Sequence, residues 1–80
     1  MNTLIEHKTK ATALDFTDDY LIVYLDDARV LQIPLIWYPR LFNATKEQLK
    51  NFTWIGKGIG IEWSELDEHL SVNGFLSGTH

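Results

Sequence analysis

The run Tyr20-Leu21-Ile22-Val23-Tyr24-Leu25, followed by Asp26-Asp27-Ala28 and then Arg29-Val30-Leu31-Gln32-Ile33-Pro34-Leu35, decides the fold. Every residue of the first run is aliphatic or aromatic, which favours extended backbone with apolar neighbours on both faces. It predicts a central strand covered on both sides. Asp26 and Asp27 have short polar side chains that bond back to nearby main chain, so a reversal follows. The chain then returns as a strand until Pro34, which lacks the N–H that a central ladder needs. The two strands read as a hairpin.

Working upstream, Ala11, Ala13 and Asp15 alternate with Thr12, Leu14 and Phe16, which is strand spacing, and Thr17-Asp18-Asp19 supplies the next turn. Residues 1–10 are polar apart from Met1, Leu4 and Ile5 and read as a loosely attached terminus, leaving 11–80 as a single domain. Downstream, Pro39 starts a helical turn and biases Tyr38 towards extended backbone. Thr45 with Gln48 matches a capping box and predicts a helix of about two turns from Lys46, burying Leu49 and Phe52. Phe52 to Trp63 reads as one further strand, with Ile59, Ile61 and Trp63 on a bulky face and Gly58, Gly60 and Glu62 on a nearly bare one. Ser64-Glu65-Leu66-Asp67 repeats the capping pattern. Ser71 caps a last turn through Leu76, with Gly78 after it. The expected architecture is α+β: a small, mostly antiparallel sheet of about four to five strands with one or two short helices.

Composition narrows the function classes. At 80 residues, 45% hydrophobic and without cysteine, the chain has no room for a two-domain enzyme with its own cofactor fold, and neither a disulfide framework nor a thiolate zinc site is available. Seven basic against eleven acidic residues give a net charge of −4, opposite in sign to the footprint of a nucleic-acid binder, so no direct nucleic-acid contact is expected. No run is long and apolar enough for a signal peptide or a bilayer span, which predicts a cytoplasmic protein without membrane contact.

Candidate sites are few. Gly56-Lys57-Gly58-Ile59-Gly60 has a phosphate-loop flavour, but neither its spacing nor its context fits, and strand glycines more often mark where another backbone or an aromatic ring passes close. The acidic segment Glu62, Glu65, Asp67, Glu68 with His69 could hold a divalent cation if a short helix put Glu65 and Glu68 or His69 on one face. Without calcium-loop spacing, carboxylates at a helix start are the plainer reading. His7, His69 and His80 are scattered, and Ser64, Ser71 and Ser77 lack a nucleophile elbow, so no catalytic residue and no cofactor is expected. More telling is the aromatic load. Trp37, Tyr38, Phe42, Phe52, Trp54, Trp63 and Phe75 crowd a chain too small to bury them all. Because Trp, Tyr and Arg dominate binding hot spots, Trp37, Tyr38 and Arg40, with Glu62, Glu65, Asp67 and Glu68 beside them, form the expected contact surface for a partner protein. The plainer alternative places these rings in the core and Arg40 in an ion pair with Asp67 or Glu68. Self-association through the same aromatics is a further arrangement compatible with these residues.

The combination Ile33-Pro34-Leu35, Trp37, Pro39-Arg40-Leu41, Ala44-Thr45, Gly58-Ile59-Gly60-Ile61-x-Trp63 and Leu66-Asp67-Glu68-x-Leu70-Ser71-Val72 resembles the domain of unknown function 2442 family of short bacterial and phage proteins. The resemblance covers about Ala11 to Gly78. It implies a small α+β domain, no established activity, and a gene arrangement like a toxin–antitoxin pair with this domain as the neutralising member. Two departures stand out: Asp27-Ala28 replaces the family's usual Asp-Gly, and His69 replaces an acidic residue. Since Ala disfavours positive φ, a longer or shifted reversal is expected at Ala28. The expected function is therefore a non-enzymatic protein-interaction domain with a small protein partner. The alternatives are a metal- or ligand-binding domain using Glu65, Glu68 and His69, or a phage-type inhibitor that mimics nucleic-acid charge.

Overall fold

The computed structural model describes residues 9–77. Leu4, Ile5, His7, Gly78 and His80, and most of the terminal segment 1–10, lie outside the described residues. Strands β1 (Ala11–Phe16), β2 (Tyr20–Leu25) and β3 (Val30–Pro34) form an antiparallel sheet in the order β1-β2-β3. The decisive run is indeed the central strand. Leu21, Val23 and Leu25 are buried beneath it, whereas Tyr20 and Tyr24 on its other face are exposed, so the expected cover on that side is not supplied by the described residues.

Two details depart from strict alternation. The register shifts between Ala11 and Ala13, a bulge that turns Ala11 inward to join Leu14 and Phe16 on the packed side. At the β2–β3 reversal the Ala28 N–H donates to the Leu25 carbonyl at 3.2 Å, and the Leu25 N–H donates to the Arg29 carbonyl at 2.9 Å. This is the longer reversal expected of Asp27-Ala28, a three-residue loop, yet Ala28 still takes φ 75°.

After Pro34 a 3-10 turn (Leu35–Trp37) leads into α1 (Pro39–Phe42), with Pro39 in its first turn, and then α2 (Lys46–Lys50). The capping box forms as read: Thr45 Oγ1 accepts from the Gln48 N–H at 3.1 Å and Gln48 Oε1 from the Thr45 N–H at 2.9 Å. The helix is shorter than expected, and Phe52 packs half-buried beyond its end.

The expected single strand Phe52 to Trp63 is instead a hairpin. β4 (Thr53–Ile55) and β5 (Gly60–Trp63) flank a turn in which Gly56, Lys57 and Gly58 all have positive φ, a geometry that two glycines make accessible. Ser64–Leu66 is a 3-10 turn, and Asp67 at φ 54°, ψ 45° ends it in the left-handed region. A missed strand, β6 (Glu68–Ser71), then completes a second sheet, β4-β5-β6. Ser71 caps α3 (Val72–Ser77) as read, its Oγ accepting from the Gly74 N–H at 2.9 Å.

One core joins the two sheets. Leu21, Val23 and Ile33 of the first sheet cluster with Ile61, Trp63 and Leu70 of the second and with Leu35, Leu41 and Leu49 between them. Trp63, at 0% exposure, donates its indole N–H to the Leu49 carbonyl at 2.9 Å, so its one polar atom is satisfied inside the core. The sheets also meet at the Gly58 turn: the Ala11 N–H donates to the Gly58 carbonyl at 2.8 Å, and a Cβ on Gly58 would lie 2.4 Å from the Ala11 oxygen. Gly60 lies beside the His69 imidazole, where a Cβ would come within 3.3 Å of Nε2. The expected close approaches of a backbone and a ring are therefore both present.

Candidate functional site

Pro39 starts α1 directly after Tyr38, so Trp37, Tyr38 and Arg40 leave the chain in different directions. Tyr38 points into the core at 7% exposure, with its ring edge-on to Phe75 at a centroid distance of 6.4 Å. Burial pushes the Tyr38 hydroxyl above the ordinary phenol range, and the Glu68 carboxylate adds to the shift. Tyr38 is thus a core aromatic rather than the expected contact residue. Trp37 remains 48% exposed, and Ile36 (68%) next to it and Phe42 (47%) at the end of α1 are exposed too. Neither Ile36 nor Phe42 was among the expected contact residues. The Leu35-Ile36-Trp37 run carries the signal for Ile36, since a 3-10 turn that buries Leu35 turns its neighbours outward.

Arg40 pairs with Asp67, as one of its two expected roles has it, through main chain and carboxylate alike. Its Nη1 donates to the Asp67 main-chain oxygen at 2.6 Å, while the Asp67 carboxylate lies 3.8 Å away and is almost fully solvated. The short bond to the carbonyl pins the left-handed corner before β6. The longer ion pair contributes little in water. The guanidinium stays more than half exposed.

The acidic segment does not gather. Glu65 accepts from Gln48 Nε2 at 3.1 Å and so turns towards α2. Glu62 pairs with His69 across β5 and β6, and Glu68 pairs with Trp63 on the opposite face. The helix that would have placed Glu65 beside Glu68 or His69 is absent, because a 3-10 turn, the Asp67 corner and a strand replace it. Among the described residues, no group of three or more His, Cys, Asp or Glu side chains could hold a metal ion. Tyr38, Glu68, His69, Ser71 and Phe75 do line a shallow cleft of about 370 Å³, in which the Ser71 hydroxyl already serves as a helix cap. Of the seven residues expected at the contact surface, Arg40, Asp67 and Glu68 come together with buried Tyr38. Trp37 lies on the neighbouring turn, while Glu62 and Glu65 belong to other surfaces. No helix among the described residues is long and apolar enough to cross a membrane.

Two solved structures share this architecture. The crystal structure of a protein of unknown function from Rhodospirillum rubrum ATCC 11170 matches with a TM-score of 0.75 at 27% identity, over 91% of this chain and 90% of that one. The solution NMR structure of an uncharacterized protein from Chromobacterium violaceum matches with a TM-score of 0.70 at 22% identity, over 86% of this chain and 65% of that one, a likeness of fold alone. No curated protein matches. The family described as protein of unknown function (DUF2442) matches residues 11–80, in agreement with the motifs from Ile33 to Val72, and the chain belongs to that family.

Proposed function

We propose that this domain is a non-enzymatic, cytoplasmic protein-interaction module that binds a small protein partner through the segment 36–42, in the role of the neutralising member of a two-gene module. The observation that supports this reading is that one short segment exposes Ile36, Trp37 and Phe42 together with the Arg40 guanidinium. Large apolar side chains grouped with an arginine have the composition of an interface centre, and such a centre gains most of its energy from a few anchors. The net charge of −4 favours a protein surface over a phosphate backbone as the partner.

The test is affinity capture with the tagged full chain in its native host, alongside an Ile36→Ser, Trp37→Ala variant. One stoichiometric protein retained by the wild type and lost from the variant, with the variant's melting temperature unchanged, supports the reading. An empty capture, or a partner held equally by both chains, overturns it. Binding that collapses with added salt and ignores the Trp37 change would point to charge mimicry instead.

A further inference from the structure

Asn73-Gly74 in α3 is the one place in the chain where an asparagine precedes a glycine. The pairing matters chemically, because a glycine has no side chain to hinder attack of its main-chain nitrogen on the preceding carboxamide. The other asparagines of the described residues are less suited to that reaction. Asn43 precedes Ala44 and its amide donates to the Pro39 carbonyl at 3.0 Å, while Asn51 precedes the bulky Phe52. The Asn73 side chain is exposed, and among the described residues its carboxamide has no hydrogen-bond partner.

Gly74, in contrast, is held on both sides. Its N–H donates to Ser71 Oγ at 2.9 Å, and its carbonyl accepts from the Ser77 hydroxyl at 3.2 Å. While the Ser71 bond is closed, the Gly74 N–H is directed at the serine and not at the Asn73 carboxamide, so ring closure waits for the first turn of α3 to open. That helix has six residues, buries only Val72 and carries a glycine in its middle. A helix so short and so lightly packed opens locally while the core stays folded.

We propose that Asn73 is a site of spontaneous deamidation through a succinimide, with the Ser71 cap as its gate. In the opened turn the Gly74 nitrogen attacks Asn73 Cγ. The N–Cγ bond forms, the Cγ–Nδ2 bond breaks, and the proton lost from the nitrogen leaves with Nδ2 as ammonia. Water then opens the ring at either carbonyl, giving aspartate or isoaspartate. The net change is one water taken up for one ammonia released, with no oxidation or reduction. In the isoaspartyl product the main chain runs through the former side chain and is one methylene longer. The capped turn no longer closes, and Phe75 comes away from the Tyr38 ring that it meets at 6.4 Å. The modification is thus a one-way release of α3 from the cleft beside β6.

The test is incubation of the folded full chain in warm, mildly alkaline buffer, followed by mass spectrometry of its peptides. The expected result is the mass gain of water for ammonia on the peptide carrying Asn73, in aspartyl and isoaspartyl forms, and none in Asn73→Gln. Ser71→Ala, with its core shown intact by Trp63 emission, is expected to react about fivefold faster, the factor that a cap of ordinary strength supplies. Ser71→Thr keeps a capping hydroxyl and is expected to react at the wild-type rate. In the separated isoaspartyl form Tyr38 is expected to become open to nitration, from which the native form protects it. A folded chain that stays unmodified where the urea-unfolded chain reacts overturns the proposal. Modification at Asn43 or Asn51 in place of Asn73, or equal rates in Ser71→Ala and the wild type, overturns it too. Equal nitration of Tyr38 before and after modification overturns the release of α3.

Discussion

The molecule contains the same motif twice, a three-stranded antiparallel meander, built in two different ways. In the first sheet the strands run five to six residues, and their own alternation provides the buried face. In the second they run three to four residues, too short to hold themselves, and each is fixed from outside. Trp63 is tied to α2, Gly58 to Ala11 of the first sheet, and the Asp67 corner to Arg40 of α1. A long strand carries its instructions in its own pattern, whereas a short one takes them from its neighbours.

If that contrast holds, the sharpest damage comes from a methyl group at a tie. Gly58→Ala puts a Cβ against the Ala11 carbonyl at φ 114° and is expected to cost about 4 kcal/mol by denaturant titration, combining backbone strain with overpacking. A loss below about 1 kcal/mol would mean that the two sheets are not braced at that point. Next comes Trp63→Phe, which keeps most of the apolar bulk but leaves the Leu49 carbonyl unpaired. It is expected to cost about 2 kcal/mol, with amide exchange accelerated in α2.

The first sheet should respond the other way. Ala28→Gly relieves a left-handed alanine and is expected to raise stability by about 1 kcal/mol, visible as a higher melting temperature. No change would mean that the loop relaxes around the alanine without strain. The smallest effect is in the same loop, where Arg29 Nε donates to Asp27 Oδ2 at 2.8 Å and holds the Asp27 carboxyl below the ordinary carboxylate range. A lowered folded pKa stabilises above the unfolded value, and that stability is lost as pH falls through the folded one. The wild type's small advantage over Arg29→Ala at neutral pH should therefore vanish in acid. An advantage that persists in acid would assign it to packing of the arginine stem.

This contrast also explains what the sequence made legible. β1, β2 and β3, the Thr45–Gln48 capping box and the Ser71 cap rest on local chemistry, and each was read within a residue or so of where it lies. The hairpin inside 52–63 and strand β6 were missed because both depend on left-handed corners, at 56–58 and at Asp67, which glycine and aspartate tolerate without requiring. The contact residues divide by the same logic. That some of the seven late aromatics stay exposed follows from counting, but which ones depends on the Tyr38–Pro39 junction, where one backbone turn sends Tyr38 inward and leaves Trp37 outside. The acidic segment would be one cluster only on a helix, and the 3-10 turn, the Asp67 corner and β6 disperse it.

The bond from the Ala11 N–H to the Gly58 oxygen has a consequence for how the protein breathes. It belongs to neither hairpin, so its opening reports loss of the contact between the two sheets rather than of pairing inside either one. The Ala11 amide proton is thus a built-in clock for that separation. Its exchange rate, set beside those of Val23 and Ile61, tells whether this contact opens before the shared core does.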